Sequence, residues 1–137
     1  MALTHLVDTS VLKRLGDPAV RASVEPMAAA GELGRATICD LEVGYSARSE
    51  PEWIALASSL EVFERVDTDA SHVRRAMQVQ RMLAARSQRG RKIPDLLVAA
   101  AAEIANLIVL HYDSDFDHIA AATGQACVWV VPAGSID

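Results

Sequence analysis

Thr4-His5-Leu6-Val7-Asp8-Thr9-Ser10 is a short apolar run that stops at a carboxylate followed by two hydroxyl side chains. It reads as a buried strand over residues 3 to 8, and Ser10 to Leu15 reads as a short helix stopped by Gly16. From there strand and helix signals alternate along the chain, which is the pattern of βα units and not of a sandwich or a bundle. The expectation is an α/β fold: three layers, with a central, mainly parallel sheet flanked by helices.

Moving outward, Asp17-Pro18 is a strong helix start, an N-cap acid followed by proline at the first helical position. That helix should run towards Gly31 with a kink or break near Glu25, ahead of Pro26. Arg35 to Ile38 suggests a second strand, after which Asp40 would cap a helix carrying Glu42 in its first turn. Ser49-Glu50-Pro51-Glu52 starts a helix through Leu60, Val62 to Val66 alternates like an edge strand, and residues 68 to 87 have the spacing of a long amphipathic helix. Ser87 to Lys92 is a basic loop containing Gly90; Pro94-Asp95 opens a helix, apolar nearly all round, that lasts to about Ala105. Leu107 to Leu110 is a strand, Ser114 to Ala122 a helix stopped by Gly124, and Cys127 to Val131 a last strand.

The chain has 137 residues, 51% of them hydrophobic and only 4% aromatic, which suits one domain over 1–137 with a core of Ala, Val, Leu and Ile on closely packed helices. The start lacks a basic leader with an apolar segment and cleavage site, and no apolar stretch is long enough to span a bilayer, so a cytoplasmic protein is expected. Cys39 and Cys127 lack metal-ligand spacing and read as small core residues. His5, His72, His111 and His118 are scattered and read as solvated or strand-end histidines.

A net charge of −5 argues against binding a polyanion through bulk charge. The distribution differs from the total, because between Ala70 and Pro94 there is no acid, while Arg74, Arg75, Arg81, Arg86, Arg89, Arg91 and Lys92 supply seven of the 13 basic side chains. A basic helix and loop leading into Asp95 would set phosphate-binding groups beside that carboxylate, which favours nucleic acid over a merely solvated face.

Asp8, Glu42, Asp95 and Asp113 are far apart in the chain, yet each sits where an α/β sheet would gather it at one edge, three of them at strand exits or helix entrances. In an open α/β sheet such positions converge beyond the carboxyl ends of the strands. Two like charges about 4 Å apart repel by roughly 4 kcal/mol at an effective dielectric near 20. A cluster of four acids therefore raises some pKa values or holds cations, and hard oxygen donors select Mg²⁺ or Mn²⁺. Such a site suits phosphodiester hydrolysis by water without a nucleophilic side chain. Thr9 and Ser10 are placed to orient Asp8 or a water there. Each acid alone also fits a cap or a solvated turn; only their joint placement points to chemistry.

Leu6-Val7-Asp8-Thr9-Ser10, Leu41-Glu42, Pro94-Asp95-Leu96-Leu97-Val98-Ala99 and Asp113-Ser114-Asp115-Phe116 resemble, in order and over nearly the whole chain, the motifs of PIN-domain nucleases, and within them the VapC-type ribonuclease toxins of bacterial toxin-antitoxin systems. The resemblance implies a PIN-like fold and a Mg²⁺- or Mn²⁺-dependent endoribonuclease. It implies Asp8, Glu42, Asp95 and Asp113 as catalytic and metal-binding acids, Asp115 as a further metal ligand and Asp117 as an auxiliary acid. Arg86, Arg89, Arg91 and Lys92 would position RNA. A cognate antitoxin and a homodimer or toxin-antitoxin hetero-oligomer are also implied, and Trp53, Ile54, Leu56 and Leu60 offer an apolar groove for a partner or else pack in the core. Family members often carry Thr or Ser two residues before the fourth acid; here His111 stands there, which leaves Asp113 and Asp115 as alternatives for that role. Asp40 similarly competes with Glu42.

Two other classes are weighed. A phosphatase or receiver-like phosphotransfer protein would use Asp8 as nucleophile, but the dehalogenase-type motif wants a second Asp where Ser10 stands. A non-catalytic PIN-fold binding module would not need the intact acidic set.

Overall fold

A computed structural model describes residues 2–88 and 91–137. One parallel sheet holds β1 (His5–Val7), β2 (Leu33–Ala36), β3 (Glu64–Val66), β4 (Ile108–His111) and β5 (Cys127–Trp129), in the order β3-β2-β1-β4-β5. Among the described residues its connections carry α1 (Thr9–Leu12), α2 (Pro18–Ala29), α3 (Thr37–Tyr45), α4 (Glu50–Ser59), α5 (Ala70–Ala85), α6 (Ile93–Ile104) and α7 (Asp115–Thr123). The chain winds outward from β1 to β3, then returns past β1 to build β4 and β5 on its other side. Right-handed crossovers therefore put α1 to α4 on one face and α5 to α7 on the other, the expected three layers. The winding reverses between β1 and β4, and a crevice forms at their carboxyl ends.

Leu6 and Val7 of the central strand β1 are fully buried, as are Val109 on β4 and Val98 and Ala101 on α6. The run Ala99 to Ala102 has no bulk to hold neighbours away, so α6 lies close against α5, α3 and α7. Gly34 in β2 meets a similar demand: a Cβ there would come within 2.9 Å of Leu3 Cδ1 and 3.1 Å of the Glu64 carbonyl oxygen. β3, with Glu64 and Arg65 exposed, is the edge strand that the alternation of Val62 to Val66 predicts.

Several local expectations are corrected. Helix α2 is not broken ahead of Pro26 but runs on to Ala29; the carbonyl that loses its amide partner belongs to exposed Ala22. Strand β2 lies two residues earlier than expected, and α3 starts at Thr37 with no side-chain cap. Asp40 does not cap it. Instead its carboxylate receives Arg35 Nε at 2.8 Å and Nη2 at 3.2 Å, while Arg35 Nη1 donates to the Leu60 and Phe63 carbonyls, tying β2 to the chain entering β3. Glu42 consequently falls in the second turn of α3. His72 is buried and not solvated, accepting the Asp69 N–H at the start of α5. No helix among the described residues is long and apolar enough to cross a membrane.

Candidate active site

Asp8 follows β1 directly. Its backbone N–H donates to the Leu110 carbonyl at 2.9 Å, extending the β1-β4 ladder by one bond, and its Oδ2 accepts the Ser10 N–H at 2.9 Å as N-cap of α1. The residue is 2% exposed, and Oδ1 is buried with no hydrogen-bond partner. Burial raises its pKa above the ordinary aspartate value, and the nearby Asp113 adds to that. Glu42 approaches from α3 and accepts Thr9 Oγ1–H at 2.8 Å. Its pKa is also raised by burial, with Asp8 opposing ionisation and Thr9 favouring it.

Asp95 is the third residue of α6, placed there by Pro94, whose missing N–H costs nothing in the first turn. It is 3% exposed, Oδ2 lacks a hydrogen-bond partner, and burial with the charge of Asp8 pushes its pKa up to about 8. Asp113 lies two residues past β4. Its N–H donates to His111 Nδ1 at 3.2 Å, its Oδ1 accepts the Asp115 N–H at 2.9 Å, and its Oδ2 accepts Lys92 Nζ at 2.6 Å. Burial is the largest single influence and would raise its pKa, but the Lys92 hydrogen bond, the Asp115 amide and the charge of Lys92 together outweigh it and leave the pKa lowered. Asp115 receives Arg91 Nη1 at 2.9 Å.

The donor atoms form two sets, Asp8 with Cys39 and Glu42, and Asp95 with Asp113 and Asp115; within each set they lie within 4.8 Å of one another. Orphaned carboxylate oxygens on Asp8 and Asp95 are what a site completed by a cation would leave, and oxygen donors predominate. The arrangement therefore fits a divalent metal. The pattern of a PIN domain matches residues 5–122. The chain belongs to the PIN-domain family and, within it, to the VapC ribonucleases. It is 64% identical over 137 residues, the full length of both chains, to Ribonuclease VapC51 of Mycobacterium tuberculosis. Ribonuclease VapC18 of the same organism is 41% identical over 140 residues, covering 98% of this chain and all of that one. Among solved structures, DNA-bound VapBC from Salmonella typhimurium superposes with a TM-score of 0.79 at 18% identity, over 94% of this chain and 99% of that one. VapBC-5 of M. tuberculosis gives 0.62 at 24% identity, over 93% and 96%.

The PIN fold thus gathers Asp8, Glu42, Asp95, Asp113 and Asp115 at one crevice. Asp40 is withdrawn into the Arg35 pair. Asp117 lies outside both sets and accepts Trp129 Nε1–H at 3.0 Å. The Thr9 hydroxyl serves Glu42, while Ser10 holds Asp8 through its N–H and takes the Tyr112 N–H on its Oγ at 2.8 Å. Arg91 and Lys92 reach the acids themselves; Arg86 is exposed and Arg89 lies outside the described residues. The amphipathic helix contributes less free charge than its composition promises, since Arg75 is spent on Glu103 at 2.5 Å. Cys39 was legible as a core residue, and it is buried, but its position three residues before Glu42 also sets it on the same helix face, beside the acids. Lys13, which sequence reading passed over, lines an open cavity of about 510 Å³ with Arg14 and Asp137 and a second of about 370 Å³ reaching Glu42.

Proposed function

We propose that this VapC-type protein is the toxin of a toxin-antitoxin pair and cuts RNA by metal-dependent hydrolysis, with Asp8, Glu42, Asp95 and Asp113 as the metal-binding acids and Asp115 as an auxiliary ligand. The observation that carries this reading is the pair of buried carboxylate oxygens on Asp8 and Asp95 that lack a hydrogen-bond partner, in two adjoining sets of donors that include three further acids. When bound, Mg²⁺ or Mn²⁺ supplies charge stabilisation at phosphorus and makes water a competent nucleophile near neutral pH. The protein's own groups do the rest. Ser10 N–H fixes Asp8, Thr9 Oγ1–H fixes Glu42, and the helix start at Pro94 fixes Asp95. Arg91 and Lys92 at the rim, with Arg86 and Lys13 further out, offer cations to the RNA backbone.

The test is cleavage of RNA by purified protein with Mg²⁺, Mn²⁺ or chelator, beside Asp8→Asn and Asp95→Asn. Products carrying 5′-phosphate and 3′-hydroxyl ends are expected, since water and not the ribose 2′-hydroxyl attacks. Chelator-resistant cleavage, or a 2′,3′-cyclic phosphate product, contradicts the mechanism.

A cognate antitoxin is the partner proposed. VapBC from Salmonella typhimurium and FitAcB from Neisseria gonorrhoeae share this fold. Here Leu56 and Leu60 line the groove that reaches Thr9 and Glu42, and Trp53, Ile54, Leu41 and Tyr45 are exposed on α3 and α4. Co-expression with a candidate antitoxin should yield a complex in which Trp53→Ala weakens association; unchanged affinity would place the partner elsewhere.

A further inference from the structure

His111 ends β4 between Phe116 and Trp129, each ring centroid 4.9 Å away, and is wholly buried. An apolar residue would fill that space without a polar atom to satisfy. Instead the imidazole keeps Nε2 buried with no hydrogen-bond partner, a standing cost. What the ring gains is on its other nitrogen, where Nδ1 accepts the backbone N–H of Asp113 at 3.2 Å. An accepting Nδ1 requires the neutral tautomer with hydrogen on Nε2.

The surrounding bonds make this contact consequential. Past β4, the Tyr112 N–H goes to Ser10 Oγ, the Asp113 N–H to His111 and the Asp115 N–H to Asp113 Oδ1, so each of these amides is held by a side chain and not by the sheet ladder. The chain turns there, and the direction of the turn decides where Asp113 presents its carboxylate. The His111 carbonyl meanwhile accepts the Val130 N–H at 2.8 Å, so the residue's backbone is held from the sheet side.

We propose that His111 is a positioning residue for the metal site: by accepting the Asp113 N–H on Nδ1 it shapes the turn after β4 so that the Asp113 carboxylate faces Asp95. The same task, a side-chain acceptor capturing the N–H two residues on, is one that a hydroxyl performs in an ST-turn. This inference rests on Asp113 being a metal ligand.

The discriminating pair is His111→Thr and His111→Val. The two replacements have the same shape and leave the same space beside Phe116 and Trp129, differing in a hydroxyl against a methyl. Mn²⁺ affinity is read by electron paramagnetic resonance on the RNA-free protein, with thermal unfolding as the fold check. The Thr variant should bind within about threefold of wild type and the Val variant about tenfold more weakly, the usual scale for losing a group that orients a ligand. Melting temperatures of the two should stay close to each other. Equal Mn²⁺ affinity in the two variants overturns the proposal while leaving the metal site intact. A wild type that binds no Mn²⁺ overturns the metal reading and this inference together. Should both variants fail to fold, His111→Asn and His111→Leu, nearer the imidazole in size, carry the same contrast and the same criteria.

Discussion

The two halves of the acidic crevice differ in how their charge is met. Asp113 and Asp115 have cations from their own chain, Lys92 Nζ at 2.6 Å and Arg91 Nη1 at 2.9 Å, and Lys92 also stands 3.8 Å from Asp95. Asp8 and Glu42 have, among the described residues, no ion pair, only a backbone amide and a hydroxyl. The consequence shows in their titration, for Lys92 lowers the pKa of Asp113 whereas burial raises those of Asp8 and Glu42. One half has its counterions within hydrogen-bond reach on the chain itself, and the other, among the described residues, has none in direct contact.

The sharpest break between the halves should come from Asp8→Asn. Losing a ligand that stabilises transition-state charge by several kcal/mol lowers cleavage by roughly 10³-fold. The same change removes an unpaired buried carboxylate, so the metal-free protein should melt a few degrees higher. Asp113→Asn should lose comparable activity without that gain, because it strands Lys92. Cleavage rates and thermal unfolding in chelator measure both; an Asp8→Asn protein less stable than wild type would erase the distinction.

Next in size is the contrast of Glu42→Gln with Asp40→Asn. Glu42→Gln should cut activity by about 10- to 100-fold, as for loss of one electrostatic contact at the reacting centre. Asp40→Asn should leave cleavage within about threefold and instead cost about 1–3 kcal/mol of stability by weakening the partner of buried Arg35. Denaturant titration beside the cleavage assay separates the two. Activity lost equally in both variants would mean that Asp40 reaches the site.

That pair also marks where sequence reading stops. The strands, the buried alanine helix and the acids at strand exits follow from local pattern, because apolar runs and Pro-Asp helix starts are local. Asp40 and Glu42 cannot be separated that way: the choice is made by Arg35, which claims Asp40 from the adjacent strand. Pro26 misleads for a different reason, since a proline removes one helical hydrogen bond and α2 runs on past it. The apposition of Lys92 with Asp113 depends on β4 lying beside β1, a property of topology. Likewise Thr9 and Ser10 were readable as site residues, but which acid each serves depends on the packing of α1 against α3.

Acidity should sharpen the comparison by about a factor of ten per pH unit. In the metal-free protein Asp95 has a pKa of about 8, above the unfolded value, so the folded state holds a proton that the unfolded state has released. By linkage its contribution to stability is present below the unfolded pKa and is lost as pH rises through about 8. A metal must displace that proton, so Mn²⁺ affinity should rise about tenfold per pH unit from 6 to 8 and level off above. Calorimetry in buffers of different ionisation enthalpy counts the proton released; flat affinity across that range would show Asp95 already ionised.

Lys92→Met should give the smallest effect and the most specific one. Lys92 is 59% exposed, so its attraction for Asp113 is screened to about 1 kcal/mol, worth roughly fivefold. Because Lys92 shares Asp113 and Asp95 with any incoming metal, removing it should tighten Mn²⁺ binding by about that factor. If the lysine released by the metal then turns to the RNA backbone, the same variant should show a several-fold higher KM and a salt slope shallower by about 0.7, the signature of one lost phosphate contact to a single strand. Lys13→Met, removing an equal charge near Glu42, is the control for long-range attraction: it should shift metal affinity less. Opposite movement of metal and RNA affinity in Lys92→Met, with a weaker metal effect in Lys13→Met, would identify Lys92 as a cation exchanged between the acids and the substrate. Parallel weakening of both ligands would make it a structural tether of the loop, and the halves of the crevice would then differ in rigidity and not in exchangeable charge.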